Sequence, residues 1–344
     1  MKLSVLNVAY PFAPVREDTA GGAEQVLLLL DAALVRSGHR SFVIACEGSS
    51  VKGELFKTGK IEKAIDEDSR RRAHREYSEA IEKVLSEREI DVIHMHGLDF
   101  ESYLPGGDRP VLVTLHLPPG WYKELNVKRP GTYFNCVSLS QARGAPPGLK
   151  LLPEIENGVP VKRLFANVSR RRFVMSIGRI CPEKGFHLAM DAARALNIPF
   201  LLAGDLFGYD SHEKYFRKEI KPRLGHNCRF LGPVGFDRKR RLLSAARCVI
   251  IPSLVPETSS LAAMEALSCG TPVVANDIGA LSDIVENGKT GFLVRDSEEM
   301  KCAIAMARDI SSDVCRAKAE ERFSSDIMTS RYIALYERLV KGSG

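Results

Sequence analysis

Short apolar runs alternate along the chain with longer stretches in which apolar residues recur every three to four positions. The first half contains five runs of strand length: Leu3–Ala9, Ser41–Ala45, Asp91–His96, Pro110–Leu115 and Tyr133–Leu139. Between them, the spacing predicts a helix over Ala23–Ser37, followed by Gly38 where a C-terminal cap is expected, and a longer charged helix over Ile61–Glu87. Buried strands alternating with helices are typical of a parallel sheet covered on both faces.

The same alternation restarts after a Pro- and Gly-rich stretch between residues 144 and 160. The second half has six further strand-like runs: Phe173–Ile177, Phe200–Ala203, Cys228–Leu231, Cys248–Pro252, Pro272–Ala275 and Gly291–Val294. We therefore predict an α/β fold of two Rossmann-like, doubly wound parallel-sheet domains, residues 1–158 and 159–324, facing a central cleft. A last helix near Ser325–Val340 is expected to cross back, so that residues 325–344 join the first domain.

Composition fits a two-domain globular protein. The chain has 344 residues, of which 44% are hydrophobic and 27% charged. No apolar run approaches the ~20 residues that span a bilayer. The eight cysteines are scattered without a C-x-x-C pair, which favours free thiols in a reducing cytoplasm over a disulfide framework. The predicted location is cytoplasmic.

The net charge of +6 is modest, and its densest basic stretch is Arg70–Arg75 inside the long predicted helix. A solvated helix face is the favoured interpretation. The alternative is a peripheral contact with an anionic membrane surface or an anionic acceptor. No aromatic residues interleave the basic run and no reader motif accompanies it, so we predict no nucleic-acid partner.

Glycines follow the first strand of each half. Gly21 and Gly22 open the helix after the first strand, where backbone can approach a ligand and a helix N-terminus favours an anion. Neither half carries G-x-G-x-x-G, which disfavours an NAD-dependent dehydrogenase. After Phe173–Ile177, Arg179 and Lys184 lie on a loop bounded by glycines. Two such cations suit a diphosphate, although two solvated surface cations would look the same in sequence.

The segment from Pro256 to Leu267 pairs two carboxylates, Glu257 and Glu265, across the start of a helix that Ser259 or Ser260 would cap. The first carboxylate could accept from sugar hydroxyls, the free amides and hydroxyls could hold phosphate, and the second carboxylate could accept from a ribose. The competing interpretation is a helix with an acidic start and one exposed glutamate.

Three histidines fall at the ends of neighbouring predicted strands: His94, His96 and His116. His94 and His96 share one face of their strand because they are two residues apart. No carboxylate or cysteine joins them at metal-ligand spacing, so we predict no metal here. We assign substrate contact to His96 or His116 and packing to His94.

Taken in order, these segments resemble the retaining glycosyltransferases of family 4 (group 1), which have the two-Rossmann architecture called GT-B. The resemblance rests on Gly21–Gln25, Asp91–Gly97, Thr114–Pro119, Val137–Gln141, Glu156–Val159, Gly178–Gly185, Ala203–Asp205, Phe230–Pro233, Pro256–Ala266, Gly270–Ala275 and Gly288–Val294. They cover nearly the entire chain. The chain departs from the commonest pattern at Thr258-Ser259-Ser260, where many members carry Phe-Gly, which affects sugar contacts rather than the phosphate site.

The resemblance implies a role for individual residues. The implied donor-binding residues are Gly22, Arg179, Lys184, Glu257, Ser259, Ser260, Leu261 and Glu265. The implied catalytic residues are Glu257, His116, Arg179 and Lys184. Arg179 and Lys184 would bind the diphosphate and stabilise it as it leaves, while Glu257 would face the donor sugar. Acceptor contacts are expected from Gly21, His96 and Trp121, and His116 matches the histidine that family members place near the anomeric carbon.

The expected function is transfer of a hexose from a nucleotide-diphosphate sugar, UDP-sugar being favoured over GDP-mannose, with retention of configuration. The expected acceptor is a saccharide, a lipid-linked saccharide or a small molecule. The resemblance implies no cofactor and no metal. The alternatives are another activity on the same architecture, such as a nucleotide-sugar epimerase or a phosphorylase, and a non-catalytic nucleotide-sugar binding subunit.

Overall fold

The chain forms two compact units in a computed structural model that describes residues 1–19, 21–60 and 65–342. Unit 1 comprises Met1–Asn157 and Asp326–Gly344, and unit 2 comprises Gly158–Ser325. Each unit is an α/β layer structure built on a parallel sheet, as predicted. No helix among the described residues is long and apolar enough to cross a bilayer.

Thirteen strands form the two sheets of the described chain. They are β1 (Ser4–Val8), β2 (Arg40–Ala45), β3 (Glu54–Lys57), β4 (Val92–Met95), β5 (Val111–Leu115), β6 (Thr132–Cys136), β7 (Leu151–Leu152), β8 (Val174–Ile177), β9 (Phe200–Ala203), β10 (Cys228–Phe230), β11 (Val249–Ile251), β12 (Val273–Asn276) and β13 (Gly291–Val294). Unit 1 orders its strands β3-β2-β1-β4-β5-β6-β7, and unit 2 orders them β10-β9-β8-β11-β12-β13. In each sheet the strand order switches direction next to the first strand of the unit, between β1 and β4 and between β8 and β11. Sheets of this kind bind ligands at such a switch point.

The α-helices follow the strands and cover the sheets. They are α1 (Gly22–Arg36), α2 (Glu67–Glu87), α3 (Leu139–Arg143), α4 (Val161–Leu164), α5 (Phe186–Ala195), α6 (Asp210–Tyr215), α7 (Phe236–Ala245), α8 (Leu261–Ser268), α9 (Leu281–Ile284), α10 (Ser297–Met306), α11 (Ser312–Arg322) and α12 (Ser325–Val340). Short 3-10 turns lie at Phe100–Tyr103, Pro119–Trp121, Pro182–Lys184, Lys221–Arg223 and Ala307–Asp309, and a π-helical turn lies at Phe216–Ile220.

Two predicted element boundaries were wrong for local reasons. The strand predicted over Tyr133–Leu139 ends at Cys136, because the Ser138 hydroxyl accepts from the Gln141 amide at 3.1 Å and starts α3. The long helix predicted from Ile61 begins at Glu67, where Asp66 and Ser69 form a reciprocal capping box. Residues 61–64 of that prediction lie outside the described residues.

The last helix completes the core of unit 1. Tyr332, Leu335 and Tyr336 of α12 are buried against one face of the sheet, in a cluster that includes Leu3 and Val5 of β1. At ~25 cal/mol per Å² of apolar surface removed from water, side chains of this size contribute a large part of the stability of the unit. The other face is packed separately, with Tyr77 of α2 in its core.

The strand ends of unit 2 are held very close together. A Cβ atom on Gly204 would lie 1.8 Å from the Gly178 carbonyl oxygen, and Gly204 has φ +150°, a conformation that L side chains rarely adopt. The Gly178 amide donates to the Ala203 oxygen at 3.1 Å, and the Gly204 amide donates to the Gly232 oxygen at 2.9 Å. These contacts fix the loops that follow β8, β9 and β10.

Candidate functional site

The loop after β8 is braced by the loop after β11. Gly185 has φ +59°, and a Cβ there would lie 2.3 Å from the Pro252 oxygen. The Leu254 amide donates to the Glu183 oxygen at 2.8 Å. Lys184, one residue before Gly185, is therefore held beside the segment that begins at Pro252. Arg179 lies at the start of the same β8 loop with an exposed side chain.

Lys184 and Glu257, which the sequence assigned to one donor site, are in direct contact. The Lys184 Nζ lies 2.8 Å from Glu257 Oε1, and the two side chains are 26% and 7% exposed. The Ser253 hydroxyl donates to the same oxygen. Within the described chain no hydrogen bond reaches Glu257 Oε2. The carboxylate is thus charge-compensated on one oxygen and retains acceptor capacity on the other.

The Glu257 backbone is fixed by the loop after β12. The Ala280 amide donates to the Glu257 oxygen at 2.9 Å, and Glu257 and Gly279 form an isolated parallel bridge. Gly279 has φ +59°, and a Cβ there would lie 2.7 Å from the Glu257 nitrogen. Only glycine fits this approach, so the position of Glu257 depends on a residue far along the chain.

The serines at the start of α8 do not cap the helix through their side chains. Ser260 holds the N-cap position, but its hydroxyl accepts no helix amide, which corrects the predicted side-chain cap. The Ser259 hydroxyl is buried and has no hydrogen-bond partner among the described residues. The first amides of a helix also lack intrahelical partners. Leu261 begins α8, so free donors collect at the N-terminus of this helix.

Glu265 lies inside α8, facing away from solvent. Its side chain is 7% exposed and forms an ion pair with Lys239 of α7, whose side chain is 16% exposed. The interpretation of Glu265 as an exposed surface glutamate is therefore wrong. Sequence reasoning missed Lys239, because this residue is one cation within the run Arg238–Arg241 and nothing in the run distinguishes it.

Three histidines of unit 1, His94, His96 and His116, form a buried polar column. His94 is fully buried between the Tyr336 hydroxyl at 2.6 Å from Nδ1 and the Thr114 hydroxyl at 2.7 Å from Nε2. His96 Nδ1 lies 3.0 Å from His116 Nε2. His94 is therefore a core residue with both ring nitrogens bonded to protein hydroxyls, as expected from its predicted packing role. The other two histidines directly follow the ends of β4 and β5.

Burial keeps these rings neutral. It holds the pKa values of His94 and His96 well below the ordinary value, and the neighbouring histidines lower them further. Burial alone lowers the pKa of His116 to about 4. His96 Nε2 is buried without a hydrogen-bond partner among the described residues. Each neutral imidazole has one N–H donor and one acceptor nitrogen, so the pair can form hydrogen bonds without carrying charge.

The remaining predicted site residues of unit 1, Gly22 for the donor and Gly21 and Trp121 for the acceptor, lie at two loops. Gly22 is the first residue of α1, and Gly21 is its N-cap. A Cβ on Gly21 would lie 1.8 Å from a carboxylate oxygen of Glu24, so the loop is tight against its own helix. Trp121 ends a 3-10 turn and is 54% exposed.

The basic run of α2 is a solvated helix face. Arg70, Arg71 and Arg75 are exposed, and Arg71 pairs with Asp68. His74 bonds Asp99 through Nε2 at 2.7 Å. The exposed Arg71–Asp68 pair contributes little to stability.

Two family models match the chain along most of its length. Residues 20–135 match the model described as Glycosyltransferase Family 4, and residues 163–325 match the model described as Glycosyl transferases group 1. The chain belongs to the family 4, or group 1, glycosyltransferases. The matched ranges include the histidine column of unit 1 and the ion-paired Glu257 and Glu265 of unit 2.

Individual relatives of this glycosyltransferase are distant. The lipopolysaccharide 1,2-N-acetylglucosaminetransferase of Salmonella typhimurium is 28% identical, across 67% of this chain and 58% of its own. The chain thus spans little more than half of that relative. The phosphatidyl-myo-inositol mannosyltransferase of Mycolicibacterium smegmatis is 26% identical, across 96% of this chain and 93% of its own.

Solved structures share the fold. The Anabaena protein HepE, crystallised with UDP-glucose, superposes with a TM-score of 0.74 at 19% identity, across 97% of this chain and 99% of its own. At this identity the likeness establishes the architecture of two Rossmann-like domains, that is, GT-B.

Proposed function

We propose that this glycosyltransferase moves a hexose from a UDP-sugar to a saccharide, lipid-linked saccharide or small-molecule acceptor, with retention of configuration. The observation that carries the proposal is the pair of nearly buried glutamates flanking the α8 N-terminus, each held by a lysine. UDP is favoured because the similar HepE structure contains UDP-glucose. GDP-mannose is the second donor to test, since a relative is a mannosyltransferase.

The donor diphosphate is assigned to Arg179 and Lys184. Lys184 Nζ has three donors, so it can bond Glu257 Oε1 and a phosphate oxygen together. The α8 amides and the unpartnered Ser259 hydroxyl complete the anion site. Negative charge grows on the diphosphate as it departs, and fixed donors stabilise that charge without reorganising. This is the reason to propose that transfer requires no metal at the diphosphate.

The two glutamates hold the ends of the donor. Glu265 accepts from the ribose hydroxyls while Lys239 compensates its charge. Glu257 accepts from the donor sugar through Oε2 and lies near the positive charge of an oxocarbenium-like transition state. We propose that the acceptor attacks from the same face that the diphosphate leaves, which retains the configuration.

Unit 1 supplies the acceptor contacts in this proposal. His116 and His96 contribute neutral imidazole nitrogens that bond hydroxyl groups. Gly21 and Gly22 allow close approach of backbone, and Trp121 offers an exposed aromatic face on which a sugar ring can stack. We place the activity in the cytoplasm, in keeping with the free cysteines.

The first test is thermal-shift binding of UDP, GDP, ADP and their sugars, without metal and then with magnesium. We expect one nucleotide diphosphate to stabilise the protein independently of magnesium and to lose this effect in Arg179→Ala and Lys184→Ala. Arg238→Ala, an exposed cation in the same unit, is the matched control. No shift with any nucleotide would contradict the donor-site assignment.

A second assay separates the alternatives, using the donor that binds and a panel of acceptors. Transfer with retained anomeric configuration supports the proposal. Conversion of the donor without an acceptor would indicate an epimerase, and dependence on inorganic phosphate would indicate a phosphorylase. Donor binding without any turnover would indicate a non-catalytic subunit.

A further inference from the structure

A three-residue cluster lies beneath the proposed diphosphate loop of unit 2. The Cys181 sulfur, a Glu183 carboxylate oxygen and a His212 ring nitrogen all lie within 4.8 Å of one another. Cys181 and Glu183 belong to the β8–α5 loop, and His212 belongs to α6. Within the described chain this is the one group of three such side chains with metal-ligand spacing.

The loops that bear the cluster are joined by their backbones. The Ile180 amide, adjacent to Cys181, donates to the Asp205 oxygen at 2.9 Å, and Asp205 lies on the loop leading to α6. The contact between Gly178 and Gly204 lies two residues before Ile180 on one loop and one residue before Asp205 on the other. The ligands therefore come from two segments already held at a fixed separation, a condition that preorganises a metal site.

His212 supplies an independent sign that the cluster is incomplete. The residue is 8% exposed, and its Nδ1 is buried without a hydrogen-bond partner among the described residues. Tyr209 lies edge-on against the ring at 5.0 Å between centroids. A buried imidazole nitrogen without a partner is costly, and a metal ion would satisfy the ring.

We propose that Cys181, Glu183 and His212 bind one zinc ion. Thiolate, imidazole and carboxylate form a borderline-soft set that suits Zn²⁺ better than Mg²⁺ or Ca²⁺. Three protein ligands leave a fourth position for water. Binding replaces the thiol hydrogen: a Zn–S bond forms, the S–H bond breaks, and the proton leaves to solvent. The site lies outside the diphosphate contacts proposed above.

Zinc at this position would stiffen the loop that carries the donor cations. Glu183 directly precedes Lys184, and Arg179 lies two residues before Cys181. A fixed turn between Arg179 and Lys184 loses less conformational entropy when a nucleotide binds. Bound zinc should therefore increase the affinity for the donor. This consequence rests on the proposed function, whereas zinc binding itself does not.

The test measures metal binding to the full chain without any nucleotide. Chelator-treated protein is titrated with Zn²⁺ and, separately, with Co²⁺, whose thiolate charge-transfer absorption reports a Co–S bond. We expect one bound ion per chain, a higher melting temperature with Zn²⁺ and a thiolate band with Co²⁺. Cys181→Ser should lose the band, and both Cys181→Ser and His212→Gln should lose stoichiometric binding.

The controls use the same residue types at exposed positions outside the cluster, Cys302→Ser and His226→Gln, and both should bind like wild type. Circular dichroism of the metal-free variants shows that they fold. Absence of stoichiometric binding to wild type, or a band that persists in Cys181→Ser, overturns the proposal. Zinc binding without any response to nucleotides would instead contradict the proposed function and leave the metal site standing.

Discussion

His96 and His116 form a side-chain pair at the ends of two adjacent strands, with 3.0 Å between Nδ1 of the first and Nε2 of the second. Their rings are stacked, with 20° between the ring planes. One ring must donate and the other accept, so the pair is compatible with two neutral imidazoles. Adding a proton to either ring places charge in a buried site beside His94.

Acid should therefore begin to destabilise the protein at pH values well above those at which carboxylates titrate. The unfolded histidines bind protons below pH ~6.5, but native His116 does so only near its pKa of about 4, and His94 and His96 have pKa values well below the ordinary one. Between these values the unfolded state binds more protons, so stability falls as pH falls, by up to about 1.4 kcal/mol per pH unit for each histidine.

Urea unfolding at pH 7, 6 and 5 measures this dependence. His116→Gln should show a shallower slope of unfolding free energy against pH than wild type, and His226→Gln, at an exposed position, should not. Equal slopes for wild type and His116→Gln would show that this ring does not titrate as the structure indicates.

Lys184→Ala should reduce stability as well as donor binding. The substitution leaves the Glu257 carboxylate, 7% exposed, without its cation. Breaking a fully buried pair costs about 3–5 kcal/mol, and because Lys184 is partly solvated we expect roughly 2 kcal/mol. Glu257→Gln in the same background should recover part of the loss, since the charge is removed. A double-mutant cycle by urea unfolding measures the coupling.

Lys289→Ala is the matched control, because that lysine is 73% exposed and its pair with Glu286 is long, at 3.8 Å. We expect a change within about 0.5 kcal/mol for it. A Lys184→Ala effect no larger than this would mean that solvent already compensates the Glu257 charge.

Lys239→Ala should raise the KM for the donor and leave kcat nearly unchanged. Lys239 contacts Glu265, which the proposal places at the ribose, far from the reacting bond. Loss of a contact made equally in the ground and transition states appears in KM alone. Steady-state kinetics of Lys239→Ala, compared with those of Arg238→Ala at an exposed neighbouring position on α7, test this. A fall in kcat with unchanged KM would place Glu265 nearer the chemistry.

Gly204→Ala should be strongly destabilising. The added methyl would overlap the Gly178 oxygen, at 1.8 Å, and φ of +150° is unfavourable for alanine. Overpacking and backbone strain each cost roughly 1–3 kcal/mol, so we expect a loss of about 2–6 kcal/mol. Gly225→Ala, where a Cβ meets open space, should change the stability little. The midpoints of urea unfolding of the two variants measure the difference. Equal midpoints for Gly204→Ala and Gly225→Ala would contradict the prediction.

The regular part of the fold could be predicted because apolar runs and helical spacing repeat along the chain. Strands β9 and β13 match their predicted ranges, and α12 matches as well. The strands β3 and β7 were missed, since Glu54–Lys57 has only two apolar residues, adjacent and flanked by charges, and Leu151–Leu152 is only two residues long. Their pairing depends on neighbours that a local pattern does not contain.

The candidate site likewise has contacts that could be predicted from the sequence and contacts that could not. Glu257 and Lys184 could be assigned to one site because strand ends of a parallel sheet meet at one edge. The Lys239–Glu265 pair depends on how α7 packs against α8, and the approach of His212 to Cys181 depends on two loops held by glycine backbones. Contacts between distant segments leave no periodic signal in the sequence.

The position of α12 sets an order of events during synthesis. Unit 1 begins at the N-terminus, yet Tyr332 and Tyr336 enter its core only after all of Gly158–Ser325 has been made. At roughly 5–20 residues per second, the ribosome needs on the order of ten to thirty seconds for that insertion. During this interval the face around Leu3 and Val5 lacks its cover, and unit 2 is the first part of the chain that can finish folding. The N-terminal half is therefore the part that most depends on protection while it is nascent.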